Sequence, residues 1–272
     1  MHIKLRAEVC LSLSTVLSLL TFILLIFVHI AQINLSSTPR DLYFANMDVT
    51  NYGAALTEAL VDTPSGLYAS NATQPLLESH GLRSYYRFGM YAHCGYLVNA
   101  TQSNDTTSSG SPAGICSNSS AAHQFRPYEY MVNDLTPFFT TVTHAILDGT
   151  TFADSNSLGK PTGAAYYFIL LATILTFIAI PMGLVKRYIT LAASVTLVSI
   201  STIFLLVGAA IWTVVINKAD MINDVMIGDP SNPVSVGIRV THGSALTILW
   251  VAFGASFLSI LPHGMSCCTY RG

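Results

Sequence analysis

The stretch Val9-Cys-Leu-Ser-Leu-Ser-Thr-Val-Leu-Ser-Leu-Leu-Thr-Phe-Ile-Leu-Leu-Ile-Phe-Val-His-Ile-Ala-Gln-Ile33 decides how often this chain crosses a membrane. Crossing a hydrocarbon core takes roughly 20 helical apolar residues. A secretory signal has an apolar region of only about 7–15 residues, ending in small residues at a cleavage site. The run at 9–33 outlasts that length and ends in Gln32-Ile33-Asn34 with no A-x-A-like site. It therefore reads as a retained helix and signal anchor, with a cleaved signal peptide as the alternative. Three later segments, 164–185, 189–216 and 244–261, are also long and apolar enough to span. The composition agrees: 51% of residues are hydrophobic and 10% charged, against about 25% charged in soluble domains, and the mean hydropathy is +0.53. The fold class expected is a membrane all-α bundle of four transmembrane helices carrying a small β-sheet/helix module in its long first loop.

Lys and Arg in short loops mark the cytoplasmic side. Lys4 and Arg6 precede the first span, Lys186 and Arg187 sit between the second and third, and Arg271 follows the fourth. The division expected is a cytoplasmic N-terminus 1–8, helix 9–33, an extracellular loop domain 34–163, helix 164–185 and a cytoplasmic turn 186–188. Helix 189–216, a second extracellular loop 217–243, helix 244–261 and a cytoplasmic tail 262–272 complete it. Every acid except Glu8 falls in the two outer loops, so that side carries the negative excess. The Asn-x-Ser/Thr acceptors, which work only on the lumenal side, all lie in 34–163: Asn34, Asn71, Asn99, Asn104 and Asn118. Asn34 adjoins the membrane, so modification is expected at the other four. Localisation at a plasma membrane, multi-pass, with both termini cytoplasmic, follows as the expectation.

Cys94 and Cys116 are the two outer cysteines, and in an oxidising compartment such a pair forms a disulfide. Closing a loop of about 20 residues stabilises by about 3 kcal/mol. Between them runs a polar Ser/Thr/Asn-rich excursion holding Asn99 and Asn104. Cys267 and Cys268 follow the fourth span, a position that suits palmitoylation, the other reading being plain reduced thiols. Cys10 reads as a packing residue. In the long loop, 41–49 alternates as a strand does and 84–98 is rich in aromatics that favour one. Residues 50–61 read as a short helix and 128–147 as a helical stretch broken near Pro137.

The segment Tyr86-Arg-Phe-Gly-Met-Tyr-Ala-His-Cys94, with Cys116 beyond it, resembles the claudin-like tetraspan families. Its layout, together with Leu42-Tyr-Phe-Ala-Asn-Met-Asp-Val-Thr-Asn51, is similar to the fungal Sur-seven/PalI family. In that family's Gly-Leu-Trp-x-x-Cys motif, Gly89 and Cys94 match and Tyr91 stands in place of the tryptophan. The resemblance implies a claudin-like module and a place in eisosome-type microdomains of a fungal plasma membrane. It also implies roles in membrane organisation, cell-wall integrity or ambient-pH sensing.

No chemistry of catalysis stands out. The outer acids are scattered, and no Ser-His-Asp or paired-carboxylate pattern is legible. Spans two to four read as free of interior ionisable groups, and span one holds only His29, which argues against a transporter. No metal-ligand spacing accompanies the cysteines, no cofactor is expected, and the absence of a basic stripe excludes a nucleic-acid partner. Of the outer histidines His80, His93, His123, His144 and His242, His93 is the candidate sensor of external pH between 5 and 8. The function expected is a non-catalytic organiser of membrane microdomains, partnered by lipids and by copies of itself or a larger membrane complex. The alternatives are an auxiliary subunit of a larger membrane complex such as a calcium channel or wall-polysaccharide synthase, or an ambient-pH-sensing component.

Overall fold

The computed structural model describes residues 2–60, 65–98, 113–185, 187–229, 231 and 233–269, of which 2–8, 60 and 266–269 are described by backbone alone. The chain divides into two compact units.

The first unit comprises Met1–His29, Ala164–Trp212 and Ala245–Gly272. Its helices are α1 (His2–His29), the greater part of α6 (Ser155–Leu184) and of α7 (Tyr188–Asp220), and α8 (Ser244–Thr269). All four are long and apolar enough to cross a membrane. Their polarity is inverted relative to a soluble bundle. On α1 the exposed side chains include Val9, Leu13, Val16, Leu19, Leu20, Ile23, Ile26 and Phe27, whereas Leu11, Ser14, Ser18, Thr21, Leu25 and Val28 are buried. That buried set recurs every three or four residues, the spacing of one helix face, and hydroxyls occupy its middle.

Lipid is as apolar as leucine, so helices in it associate through close packing and hydrogen bonds between side chains. Thr176 Oγ1 and Ser201 Oγ lie 2.7 Å apart, as do Thr202 Oγ1 and Ser256 Oγ. Ser194 Oγ donates to the Ala179 carbonyl at 2.9 Å, and His29 Nε2 meets Thr173 Oγ1 at 3.0 Å. Gly208 admits Ile169, whose Cγ1 would lie 2.8 Å from an added Cβ.

The second unit comprises Ile30–Gly163 and Thr213–Ser244. After the short helix α2 (Ser37–Asp41) come β1 (Ala45–Asp48), α3 (Tyr52–Leu60), β2 (Tyr85–Phe88), β3 (His93–Leu97) and β4 (Ala113–Cys116). Helices α4 (Pro127–Asp134) and α5 (Pro137–Leu147) follow, and the later part adds a hairpin, β5 (Met226–Ile227) with β6 (Val234–Ser235), and then β7 (Arg239–His242). Five strands form an antiparallel sheet in the order β4-β3-β2-β1-β7.

Strand alternation sorts the sheet into two faces. Met47, Tyr86, Phe88, His93 and Val240 share the core face and are buried, together with Phe125, Met131, Leu135 and Phe139 from 125–139. Phe88 meets Phe125 edge-on, centroids 4.8 Å apart. Asp48, Tyr85, Arg87, Cys94, Tyr96 and Arg239 share the opposite face.

Several expectations shift. The segment 84–98 is a hairpin rather than one strand, because the chain reverses over 89–92. Residues 41–49 yield a strand only over Ala45–Asp48, since α2 ends at Asp41. The interruption at Pro137 falls between α4 and α5, with each helix opening on a proline, the first-turn position where a missing N–H costs nothing. The second connector, read only as a loop at 217–243, supplies β7 to the sheet. Helix α6 begins at Ser155, ahead of residue 164.

Candidate functional site

The hairpin and disulfide are built around one side chain that follows α1. Gln32 is buried, in the left-handed region at φ 55°. Its Nε2 donates to the carbonyls of Pro39 (3.1 Å), Arg40 (2.5 Å) and Leu42 (3.0 Å), and its Oε1 accepts from the Tyr96 hydroxyl at 3.0 Å. Burial pushes the Tyr96 phenol up, which keeps it a donor. One amide thus ties the strap 32–42 to β3. Gly89 is required by this approach rather than by its own backbone angles: a Cβ there would stand 2.2 Å from the Ala31 carbonyl oxygen. On the same face the Arg87 guanidinium lies 4.5 Å from the Tyr43 ring centroid and 5.2 Å from that of Tyr85. It donates to the Arg40 carbonyl at 2.9 Å and pairs with Asp41 at 3.6 Å.

Cys94 and Cys116 are bonded. They face each other directly across β3 and β4, with Cα atoms 3.9 Å apart. Tyr91 lies in the reversal between β2 and β3, half-buried, and its carbonyl accepts from the Ser120 amide at 2.8 Å. Asn71 and Asn118 are exposed; the Asn71 side chain accepts from both the amide and the hydroxyl of Thr73. Asn99 and Asn104 lie outside the described residues. Cys267 and Cys268 lie on α8, with their side chains outside the description.

His93 does not occupy the place a pH sensor needs. Its ring is buried, stacked 4.2 Å from Tyr130, and Nδ1 lies 2.9 Å from His123 Nε2, whose ring in turn reaches Ser120 Oγ at 3.3 Å. Burial, reinforced by His123, lowers the His93 pKa to about 3, and burial lowers that of His123 to about 4. Both rings stay neutral between pH 5 and 8, so the expectation that His93 reports that range in the native state is corrected. The pair acts on stability instead. An unfolded histidine titrates near 6.5 and binds protons the native ring refuses, so their contribution is complete above about pH 6.5 and drains away as pH falls toward 4. Thermal unfolding is expected to be flat from pH 7 to 8 and to fall in midpoint below 6.5. In His93→Gln that acid slope should shrink, and an unchanged slope would remove His93 as its source.

Sequence reading missed three groups. Arg83, fully buried, donates through Nη1 to the Asn71 carbonyl (3.2 Å) and through Nη2 to that of Gln74 (2.5 Å), pinning the segment that carries Asn71. Tyr86 donates to Asp134 Oδ2 at 2.6 Å, and the same carboxylate takes the Leu77 amide. Burial pushes both Tyr86 and Asp134 up. Neither carried a local signal, since Arg83 and Asp134 both lie in mixed polar segments, 78–85 and 128–136. His263 was placed after the fourth span, but α8 continues through Pro262. It lies buried in the first unit, 3.4 Å from Ser18 Oγ, in space left by Gly183. The expectation that spans two to four lack interior ionisable groups fails there.

The assembled side chains hold structure together: straps, a cross-strand disulfide and stacked neutral rings. Among the described residues no cluster of three or more His, Cys, Asp or Glu is arranged to hold a metal ion. No curated protein matches the chain. The SUR7/PalI family pattern matches residues 10–262, and with four apolar helices and the disulfide-closed sheet of a claudin-like tetraspan, this chain is a member of the SUR7/PalI family.

Proposed function

We propose that the protein is a non-catalytic organiser of plasma-membrane microdomains of the eisosome type, supporting the fungal cortex and wall by lateral self-association. The sheet module lies outside the cell, bears glycans at Asn71, Asn99, Asn104 and Asn118, and both termini are cytoplasmic. Membrane lipids are its immediate surroundings, and Cys267 and Cys268 are the sites where acylation would strengthen that preference.

The observation that carries this reading is how the module's polar groups are used. Gln32, Arg83, Tyr86 and Asp134 are spent on holding backbone segments, which builds a stiff outer body rather than a reactive one. The test is purification from native membranes into nanodiscs with mass spectrometry of the intact assembly. Multiples of this chain with lipid are expected. A single large enzyme or channel in fixed ratio would overturn the organiser and make the protein an auxiliary subunit.

A further inference from the structure

The opposite side of the sheet from His93 holds a cleft that none of the roles above uses. It has a volume of about 420 Å³ and is lined by Asp48 of β1, Asn51 just before α3, Asn223, Ser235, and Ile238 and Arg239 at the start of β7. Five of these six side chains are polar. Asp48 and Arg239 are cross-strand partners on one face, yet among the described residues they form no ion pair with each other. Asp48 is aimed by Thr50, whose amide and hydroxyl both bond to Oδ1 (2.9 and 2.6 Å), so its other oxygen is left for a ligand. Asn223 fixes the far wall: its Oδ1 accepts from the Val240 amide at 2.7 Å and its Nδ2 donates to the Val240 carbonyl at 3.0 Å. These bonds also occupy the outer edge of β7, so an added strand cannot pair at Val240. The next residue in the same cross-strand row is Tyr85, half-buried and stacked on Tyr96 with centroids 5.0 Å apart.

The chemistry selects a ligand class. A carboxylate only accepts hydrogen bonds, a guanidinium only donates them, and an amide and a hydroxyl do both. A lone cation is repelled by Arg239, a lone anion by Asp48, and an apolar group would leave the polar walls desolvated and unpaired, which costs free energy for each group. A neutral polyol has hydroxyls that both donate and accept, and it can meet the Asp48 carboxylate, the Arg239 guanidinium, the Asn51 amide and the Ser235 hydroxyl with no net charge to neutralise. Tyr85, cross-strand from Asp48, stands outside the lining with its ring stacked on Tyr96, so recognition rests on the polar walls, which match the ring hydroxyls of a sugar. We propose that the cleft where β1 ends and β7 begins binds a pyranose unit of a neutral glycan.

That chemistry is shared by wall-type glucans, by chitin oligomers and by the mannose arms of N-glycans, including those of a neighbouring copy. The test uses the full chain in nanodiscs, titrated calorimetrically with a β-1,3-glucose hexamer, a chitin hexamer and a high-mannose oligosaccharide. Saturable binding of at least one is expected, and which one binds identifies the source. Asp48→Asn and Arg239→Gln should each weaken it by roughly tenfold or more, the loss expected for a hydrogen bond to a charged group. Arg239 is exposed, so its variant should keep the parent's melting temperature even if Asp48→Asn does not. No saturable binding of any probe, or binding that Arg239→Gln leaves unchanged, overturns the proposal. Lateral assembly is read separately, so a homo-oligomer that binds no sugar fails this inference alone.

Discussion

Gly89→Ala is expected to unfold the sheet module at a temperature several degrees or more below the parent and to be held back from the cell surface. The added methyl would meet the Ala31 carbonyl oxygen at 2.2 Å, the Ala31 carbonyl carbon at 3.0 Å and Gln32 Cβ at 3.0 Å. Most of these are backbone atoms, which cannot rotate out of the way. Overpacking alone costs about 1–3 kcal/mol. Moving the strap also strains the Gln32 bonds to Leu42 and Tyr96, each worth about 1 kcal/mol. Differential scanning fluorimetry of the purified protein, together with surface labelling, measures both effects. A Gly89→Ala protein that melts with the parent would show that the close approach of 31 to 89 is not needed. Gln32→Ala should reproduce much of the loss without any clash, which separates the strap from the steric effect.

The second large effect is expected from Cys94→Ser/Cys116→Ser. Removing a native disulfide of this kind costs about 2–5 kcal/mol, a large part of the total stability of a domain. Cys94 is fully buried, so the new hydroxyl there must also find a partner or carry the cost of desolvation. The double variant is the cleaner experiment, because either single one leaves a lone thiol that can pair with another chain. Loss of surface delivery and a lower melting midpoint are expected. Normal delivery and normal oligomers in the double variant would remove the disulfide from its place as the centre of the module.

Much of this molecule was legible because its signals are local. Runs of apolar residues mark the spans wherever they pack, and Pro137 breaks the helical stretch 128–147 where α4 gives way to α5. The cysteine pair was readable from compartment and number. What escaped depends on distant partners. Strand β7 meets β1 across nearly two hundred residues and carries only Arg-Val-Thr-His as its own signal. Gln32 reads as an unremarkable polar residue at the end of an apolar run, and its importance lies in three carbonyls brought near by a reversal of the chain. His93 misled for the same reason: its residue type suggests titration, while Tyr130 and His123, contributed from thirty or more positions away, exclude the proton. Ser14, Ser18 and Thr21 were visible as hydroxyls in α1, but only packing reveals that they form the inner side.

The late arrival of β7 has a consequence for how the protein is made. Strands β1 and β2 and the disulfide-linked β3 and β4 are all synthesised before residue 117, so four-fifths of the sheet can assemble once the first loop has been made. The outer side of β1 nevertheless stays bare until residues 239–242 follow, after two further membrane segments have been inserted. An unpaired strand edge is a template for wrong partners. Throughout that interval the nascent chain is therefore exposed to mispairing, and a chain cut short within α7 would carry a sheet module that looks nearly finished but is open along one side.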